Sequence, residues 1–112
     1  MAWWTRVTVR GGSMAPTLRD GQRLVARRRP RGPRRGEVVV FRAPDPLLPH
    51  RIKRVAAVAG DPVPDWLTPT MPGVHRAPAG FVVVAGDNPR SQDSRQLGLV
   101  RCRDVVGAVP GV

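Results

Sequence analysis

The chain has 112 residues, enough for one small domain with one hydrophobic core. Hydrophobic residues make up 41% and charged residues 24%, which excludes a disordered tail, while Gly 12 and Pro 13 exclude a fold of long helices and the single cysteine excludes an internal disulfide and a cysteine-based zinc site. The net charge of +11, from 19 Lys and Arg against 8 Asp and Glu, suits nucleic acid, an anionic membrane surface or an acidic partner.

The opening run Met1 to Arg6 is too short for the apolar region of a signal peptide. No apolar stretch reaches the ~20 residues that a membrane-spanning helix needs. Trp3 and Trp4 either pack on the domain or touch a membrane interface. Period-two patterning then marks short strands. They are Val7–Val9, Arg23–Ala26, Glu37–Phe41, Ile52–Val58, Phe81–Ala85 and Val105–Val109. Gly, Pro and Asp punctuate them at Asp20-Gly21, Arg34-Arg35-Gly36, Ala59-Gly60-Asp61-Pro62 and Gly86-Asp87-Asn88-Pro89. This predicts an all-β, mainly antiparallel domain with little helix, spanning residues 1–112 as one unit. Residues 27–35 hold six arginines with Pro30 and Pro33 and read as an exposed hairpin between two strands. Residues 62–77 are rich in proline and read as a long surface loop.

Two counts point toward chemistry. Of the 19 basic residues 18 are arginine, and Lys53 is the one lysine. Arginine-rich usage of this kind looks like the coding bias of a GC-rich genome, and a lone lysine then marks a place where arginine does not substitute. Lysine can lose its proton inside a protein and arginine cannot. The apolar neighbours Ile52, Val55, Ala56, Ala57 and Val58 can bury it, and burial disfavours the ammonium. The serines number three: Ser13, Ser91 and Ser94. Ser13 follows Gly11-Gly12, and a glycine pair lets the backbone turn tightly and expose a hydroxyl beside free N–H groups. By itself such a turn is most often only a turn. A serine nucleophile needs a base. His50 and His75 have no carboxylate partner close in sequence, although a triad can assemble from distant positions; Lys53 is the better candidate.

Four segments in order carry a family resemblance: Gly-Gly-Ser-Met-Ala-Pro-Thr-Leu (11–18), Arg-Gly-Glu-Val-Val-Val-Phe (35–41), Arg-Ile-Lys-Arg-Val-Ala-Ala-Val-Ala-Gly-Asp (51–61) and Gly-Asp-Asn-Pro-Arg-Ser-Gln-Asp-Ser-Arg (86–95). The chain resembles the type I signal peptidases, serine–lysine endopeptidases. The resemblance implies a coiled sheet or partly open barrel and cleavage after small residues, Ala-X-Ala in type, through an acyl-enzyme. Ser13 would be the nucleophile, Lys53 the general base and Ser91 the hydroxyl that orients it. Asp93 and Arg95 would form a bracing ion pair, and Ser94 a local turn bond. The Ser13 N–H would be one oxyanion donor. The second donor stays open, since Gly11 stands where some relatives carry a serine. Val7 and Val9 would form a strand edge for an extended substrate. Val7, Val9 and Ile52 would line one apolar pocket, and Met14, Leu18 and Ile52 its neighbour. The resemblance implies no metal or organic cofactor, a precursor polypeptide as partner, and a monomer.

Two departures stand out. Twelve residues precede Ser13, where signal peptidases carry a membrane anchor, and the last segment is one residue shorter than the commonest form. The implied location is the outer face of the cytoplasmic membrane if an upstream anchor exists, and cytoplasmic or peripheral otherwise. Within the family, small actinobacterial members resemble the protease that trims the precursor of nickel superoxide dismutase, and lack of an anchor favours that specialised role. A reading from a different class is a non-enzymatic basic module, with the 27–35 run holding nucleic acid or anionic lipid. Stacking aromatics interleaved with those arginines are missing, with Phe 2 and Tyr 0, so no specific nucleic acid is expected.

Overall fold

A computed structural model describes residues 3–112. Seven strands form one sheet: β1 (Trp4–Thr8), β2 (Arg23–Arg27), β3 (Val38–Arg42), β4 (His50–Ala57), β5 (Phe81–Ala85), β6 (Val100–Arg101) and β7 (Val105–Val109). One short helix, α1 (Ser94–Leu97), precedes β6. The spatial order is β1-β2-β7-β3-β4-β5-β6 with every pair antiparallel. β1 and β6 stand at opposite edges, so the sheet curls without closing into a barrel. The expected all-β architecture with little helix is the one observed.

The run Val38-Val39-Val40-Phe41 has no polar alternation because β3 is central and both of its faces are covered. Val38 and Val40 join Val9, Met14, Leu18 and Ala26 on one side. Val39 and Phe41 join Val55, Val82 and Val84 on the other. Register shifts at Val40/Phe41 against β7 and between Val55 and Ala57 against β5 supply the local bends a curled sheet needs.

Two connections differ from the sequence expectation. Residues 28–37 do not close a hairpin, because β7 lies between β2 and β3. A hairpin signal is local, whereas β7 arrives from the far end of the chain. Residues 62–77 are irregular but not merely superficial. Val63, Leu67 and Ala77 are buried against Ala57 and Val83, forming a third core group. A bridge between Pro62 and Arg76 closes the base of this segment. Proline removes backbone donors without removing apolar burial, so weak periodicity hid the packing.

Ser94 is likewise not confined to a local turn. It is buried, and its Oγ accepts a hydrogen bond from the Val84 N–H at 2.9 Å. β6 pairs only with Phe81 and Val82, so the strand donor at Val84 is satisfied by a side chain. Replacing Ser94 with Ala orphans that buried donor. Denaturant unfolding of Ser94→Ala should show a loss of about 1–3 kcal/mol with an unchanged m-value.

Candidate active site

β1 and β2 are paired, and the chain between them makes a long excursion that carries Ser13. Its base is closed by Val9 N–H to Gln22 O and Gly21 N–H to Val9 O, both 2.8 Å. Gly11 adopts φ +82°, a left-handed conformation that a side chain would strain. Its amide donates to Asp20 Oδ1 at 2.8 Å, so this N–H is already engaged. Beyond Ser13, Ala15 N–H bonds to Gly12 O and Leu18 N–H to Met14 O. Met14 and Leu18 are fully buried and pin the turn to the core. Among the described residues the Ser13 amide takes no part in the backbone bonds that hold this turn.

The segment after β5 clamps the turn from the other side. Asn88 N–H donates to Ser13 O and Asn88 Nδ2 donates to Gly12 O, each at 3.0 Å. At Gly86 a Cβ would stand 2.0 Å from Ser91 Oγ and 2.5 Å from Ser13 O. The backbone approach that brings the Ser13 turn and Ser91 together therefore requires glycine at 86. Asp87 takes a two-pronged ion pair from Arg54, at 2.8 and 2.7 Å, and also accepts from Thr17 Oγ1 at 2.5 Å. One carboxylate thus joins the Ser13 turn, β4 and the segment that carries Ser91. The short charge-assisted contacts hold the Asp87 carboxyl below its usual range, the Arg54 hydrogen bond being the largest cause.

Lys53 lies on β4 next to Arg54, only 3% exposed. Burial pushes its amine pKa below 10.5, the charge of Arg51 pushes it further the same way, and Asp93 pulls it back. A lysine so placed is neutral over a wider pH range than one in water. Ser91 Oγ donates to Asn88 O at 2.6 Å. Its one proton is thereby used, and toward any other neighbour it can act only as an acceptor. Asp93 caps α1 by accepting from Arg95 N–H, while Gln96 reaches back to the Asp93 N–H. Arg95 returns a forked contact, with Nε 3.0 Å from Oδ1 and Nη2 2.8 Å from Oδ2 of Asp93. That pairing is the first cause of a lowered Asp93 pKa. The Arg95 guanidinium also lies 5.7 Å over the Trp66 ring, tying α1 to the 62–77 segment.

A single cleft of about 420 Å³ is lined by Ser13, Lys53 and Ser91 together. Val7, Val9, Met14 and Ile52 also line it. Leu18 does not: it sits in the core below, because the helical bond to Met14 O turns it inward. β4 pairs with β3 from His50 to Arg54 but with β5 only at Arg54, Val55 and Ala57. Its outer edge at His50–Lys53 is therefore open, as is the outer edge of β1, and both strands line the cleft. His50 is at the cleft, while His75 lies in the 62–77 segment. Gly86, Asn88, Thr17 and the Arg54–Asp87 pair had no assigned role in the sequence, where Gly-Asp-Asn-Pro reads as a turn. Among the described residues no group of three His, Cys, Asp or Glu can hold a metal ion. Nor is any described helix long and apolar enough to cross a membrane.

The chain is therefore a small domain of the open antiparallel β-sheet class, in which a clamped serine turn and a buried lysine line one cleft. The family model described as signal peptidase, peptidase S26, matches residues 1–65, more than half of the chain. Signal peptidase IB of Staphylococcus aureus (strain COL) is 30% identical over 145 aligned residues, covering 94% of this chain and 75% of that protein. The mitochondrial ATP-independent inner membrane protease subunit 1b of Arabidopsis thaliana is 39% identical over 98 residues, covering 80% of this chain and 58% of that protein. The chain belongs to the signal peptidase family, peptidase S26. It spans somewhat over half the length of the plant relative.

Two outcomes follow from this geometry. Gly86→Ala should displace the Ser13 turn from the 86–91 segment, and unfolding curves should show a destabilised protein, since both close contacts include backbone or a short side chain. Asp87 and Asp93 have folded pKa values below 3.8, so their contribution is fully present above 3.8 and is lost as pH falls through the folded values. Melting temperatures measured downward from pH 5 should drop for wild type, and Asp87→Asn should flatten part of that drop.

Proposed function

We propose that this chain is a serine endopeptidase that removes a signal or pro-sequence from a precursor by a Ser13–Lys53 dyad. The observation that carries the reading is that the one lysine is buried, held below its ordinary pKa, and lines the same cleft as a serine on a glycine turn. Neutral Lys53 takes the Ser13 proton as Oγ attacks the scissile carbonyl. Ser91, acceptor-only after donating to Asn88, receives an N–H of the amine and turns its lone pair toward Ser13. The Ser13 N–H, left out of the bonds that hold the turn, receives the oxyanion. The lysinium then protonates the leaving amine, and water releases the acyl-enzyme with Lys53 again as base.

An extended precursor enters between the open edges of β1 and β4 and adds to them as a strand. Val7, Val9, Met14 and Ile52 give shallow apolar contacts suited to alanine-sized side chains before the cut. The Asp93–Arg95 fork braces α1 and, through the Asp93 charge, limits how far the Lys53 pKa falls. No metal or organic cofactor enters these steps. The relatives' names refer to a signal peptidase and an inner membrane protease, which supports a precursor polypeptide as the substrate and a place at a membrane.

The test is cleavage of a precursor with an Ala-X-Ala site, followed by intact mass. Wild type should cut, with a rate that rises with pH through a single group titrating below 10.5. Ser13→Ala and Lys53→Arg should each lose about 10³-fold or more, since removing a member of such a unit disables the whole. Equal cutting by all three would overturn the dyad.

Lys53 also makes a stability prediction. Its folded pKa lies below the unfolded one, so the unfolded state binds more protons at intermediate pH and stability rises as pH rises. The penalty is fully present below the folded pKa and vanishes above 10.5. Lys53→Met should therefore be more stable than wild type at pH 7, with the gap closing toward pH 10.5.

A further inference from the structure

The charge of the cleft is one-sided. Arg10, Arg51 and Arg90 line it together with His50 and Lys53, and none of the 8 Asp and Glu residues of the chain does. An arginine-rich chain makes cationic patches everywhere, so the arrangement of the carboxylates is the informative part. Four of them are paired elsewhere. Glu37 pairs with Arg29, Asp61 with Arg35, Asp87 with Arg54 and Asp93 with Arg95. From outside the cleft Asp45 reaches Arg51 at 3.6 Å, and Gln92 accepts from the same guanidinium at 3.3 Å. Arg10 and Arg90 are exposed, and among the described residues neither forms an ion pair.

The positions of these two arginines matter. Arg10 directly precedes Gly11-Gly12-Ser13, on the chain leaving β1. Arg90 directly precedes Ser91, on the segment that clamps the Ser13 turn, with its own N–H held by Asn88 Oδ1 at 3.0 Å. The two guanidinium groups thus extend from the two backbone segments that flank the nucleophile. Apolar contacts from Val7, Val9 and Ile52 recognise small side chains but supply no charge selection. The cations supply charge, and one of them, Arg51, also favours the neutral state of Lys53.

We infer that the cleft selects precursors carrying an Asp or Glu within a few residues of the cut bond, with Arg10 and Arg90 as the groups that receive the carboxylate. This inference rests on the peptidase reading and specifies its substrate class. A basic residue at the same place meets two unpaired guanidiniums and is rejected, which is selection by repulsion as well as attraction. Because the contact lies at the rim and away from the reacting atoms, it acts on substrate binding and so on KM more than on kcat.

The experiment uses a peptide set built on one Ala-X-Ala sequence, with Asp, Asn or Lys placed singly at each position flanking the cut. Against wild type, Asp at the responsive position should give a kcat/KM about three- to tenfold above Asn, carried by KM, with Lys below Asn and the spread shrinking as salt rises. The Arg10→Gln/Arg90→Gln double variant should bring the three peptides together. A charge-matched control, Arg101→Gln/Arg103→Gln, changes exposed side chains outside the cleft and should keep the preference. Fluorescence anisotropy with Ser13→Ala reads binding of the same peptides independently of turnover, so failure of the dyad and failure of the charge preference are separate results. Equal Asp and Lys peptides in both assays would overturn the inference. So would a preference that survives the Arg10/Arg90 change, or one lost equally in the charge-matched control, which would show only attraction to the net charge.

Discussion

The Asp87 carboxylate meets Arg54 and Thr17, and three parts of the chain depend on that meeting. Thr17 belongs to the Ser13 turn, Arg54 is the next residue to Lys53, and Asp87 leads into the segment of Asn88 and Ser91. Each part alone is a loop or a strand end without a unique position. Joined, they hold a serine, a lysine and a second serine in one cleft. An ion pair at an exposed site is worth little, but this one is forked, three-membered and partly shielded, with Asp87 17% and Arg54 29% exposed. Two Asn88 bonds to Gly12 and Ser13 complete the clamp, and the glycine at 86 permits its close approach.

Lys53 is the costly element of the design. The sheet buries an amine that water would solvate, and the protein tolerates it because the amine can discard its proton. Arg51 and Asp93 act on it with opposite sign, so the pair tunes the amine from either side. Arginine in that place would keep its charge and its desolvation cost together. The one lysine of a chain with 18 arginines is thus the basic side chain that can be buried without its charge. The neutral state of the amine is also the state in which its burial costs least.

The lining of this cleft has two layers. Val7, Val9, Met14 and Ile52 form an apolar lining between two open strand edges. Arg10 and Arg90 form an exposed, cationic part of the lining, and among the described residues neither has an ion-pair partner. The core beneath serves both layers. Met14 and Leu18 are fully buried under the Ser13 turn; both belong to the first core group, and Met14 also lines the cleft.

Strand identity was legible in the sequence because it depends on local patterning: Val38–Phe41 and Phe81–Ala85 are apolar runs bounded by turn residues, and both are strands. The special status of Lys53 and of the Gly-Gly-Ser turn was also visible, since each follows from the chemistry of residue types. Strand order was not, and residues 28–37 illustrate why. Two strands adjacent in sequence look like a hairpin until a third, from the end of the chain, is paired between them. The inward turn of Leu18, the core packing of Val63 and Leu67, and the reach of Ser94 to Val84 likewise depend on which distant surface arrives. So do the Asn88 clamp and the Asp87 junction, whose partners Gly12, Thr17 and Arg54 lie 33 to 76 positions away along the chain. By itself the sequence determined most of the strands and singled out the candidate residues for chemistry, because propensity and side-chain type are properties of a residue and its neighbours. Only the tertiary structure decided which of them meet, because contacts between distant segments are chosen by the packing of the whole sheet.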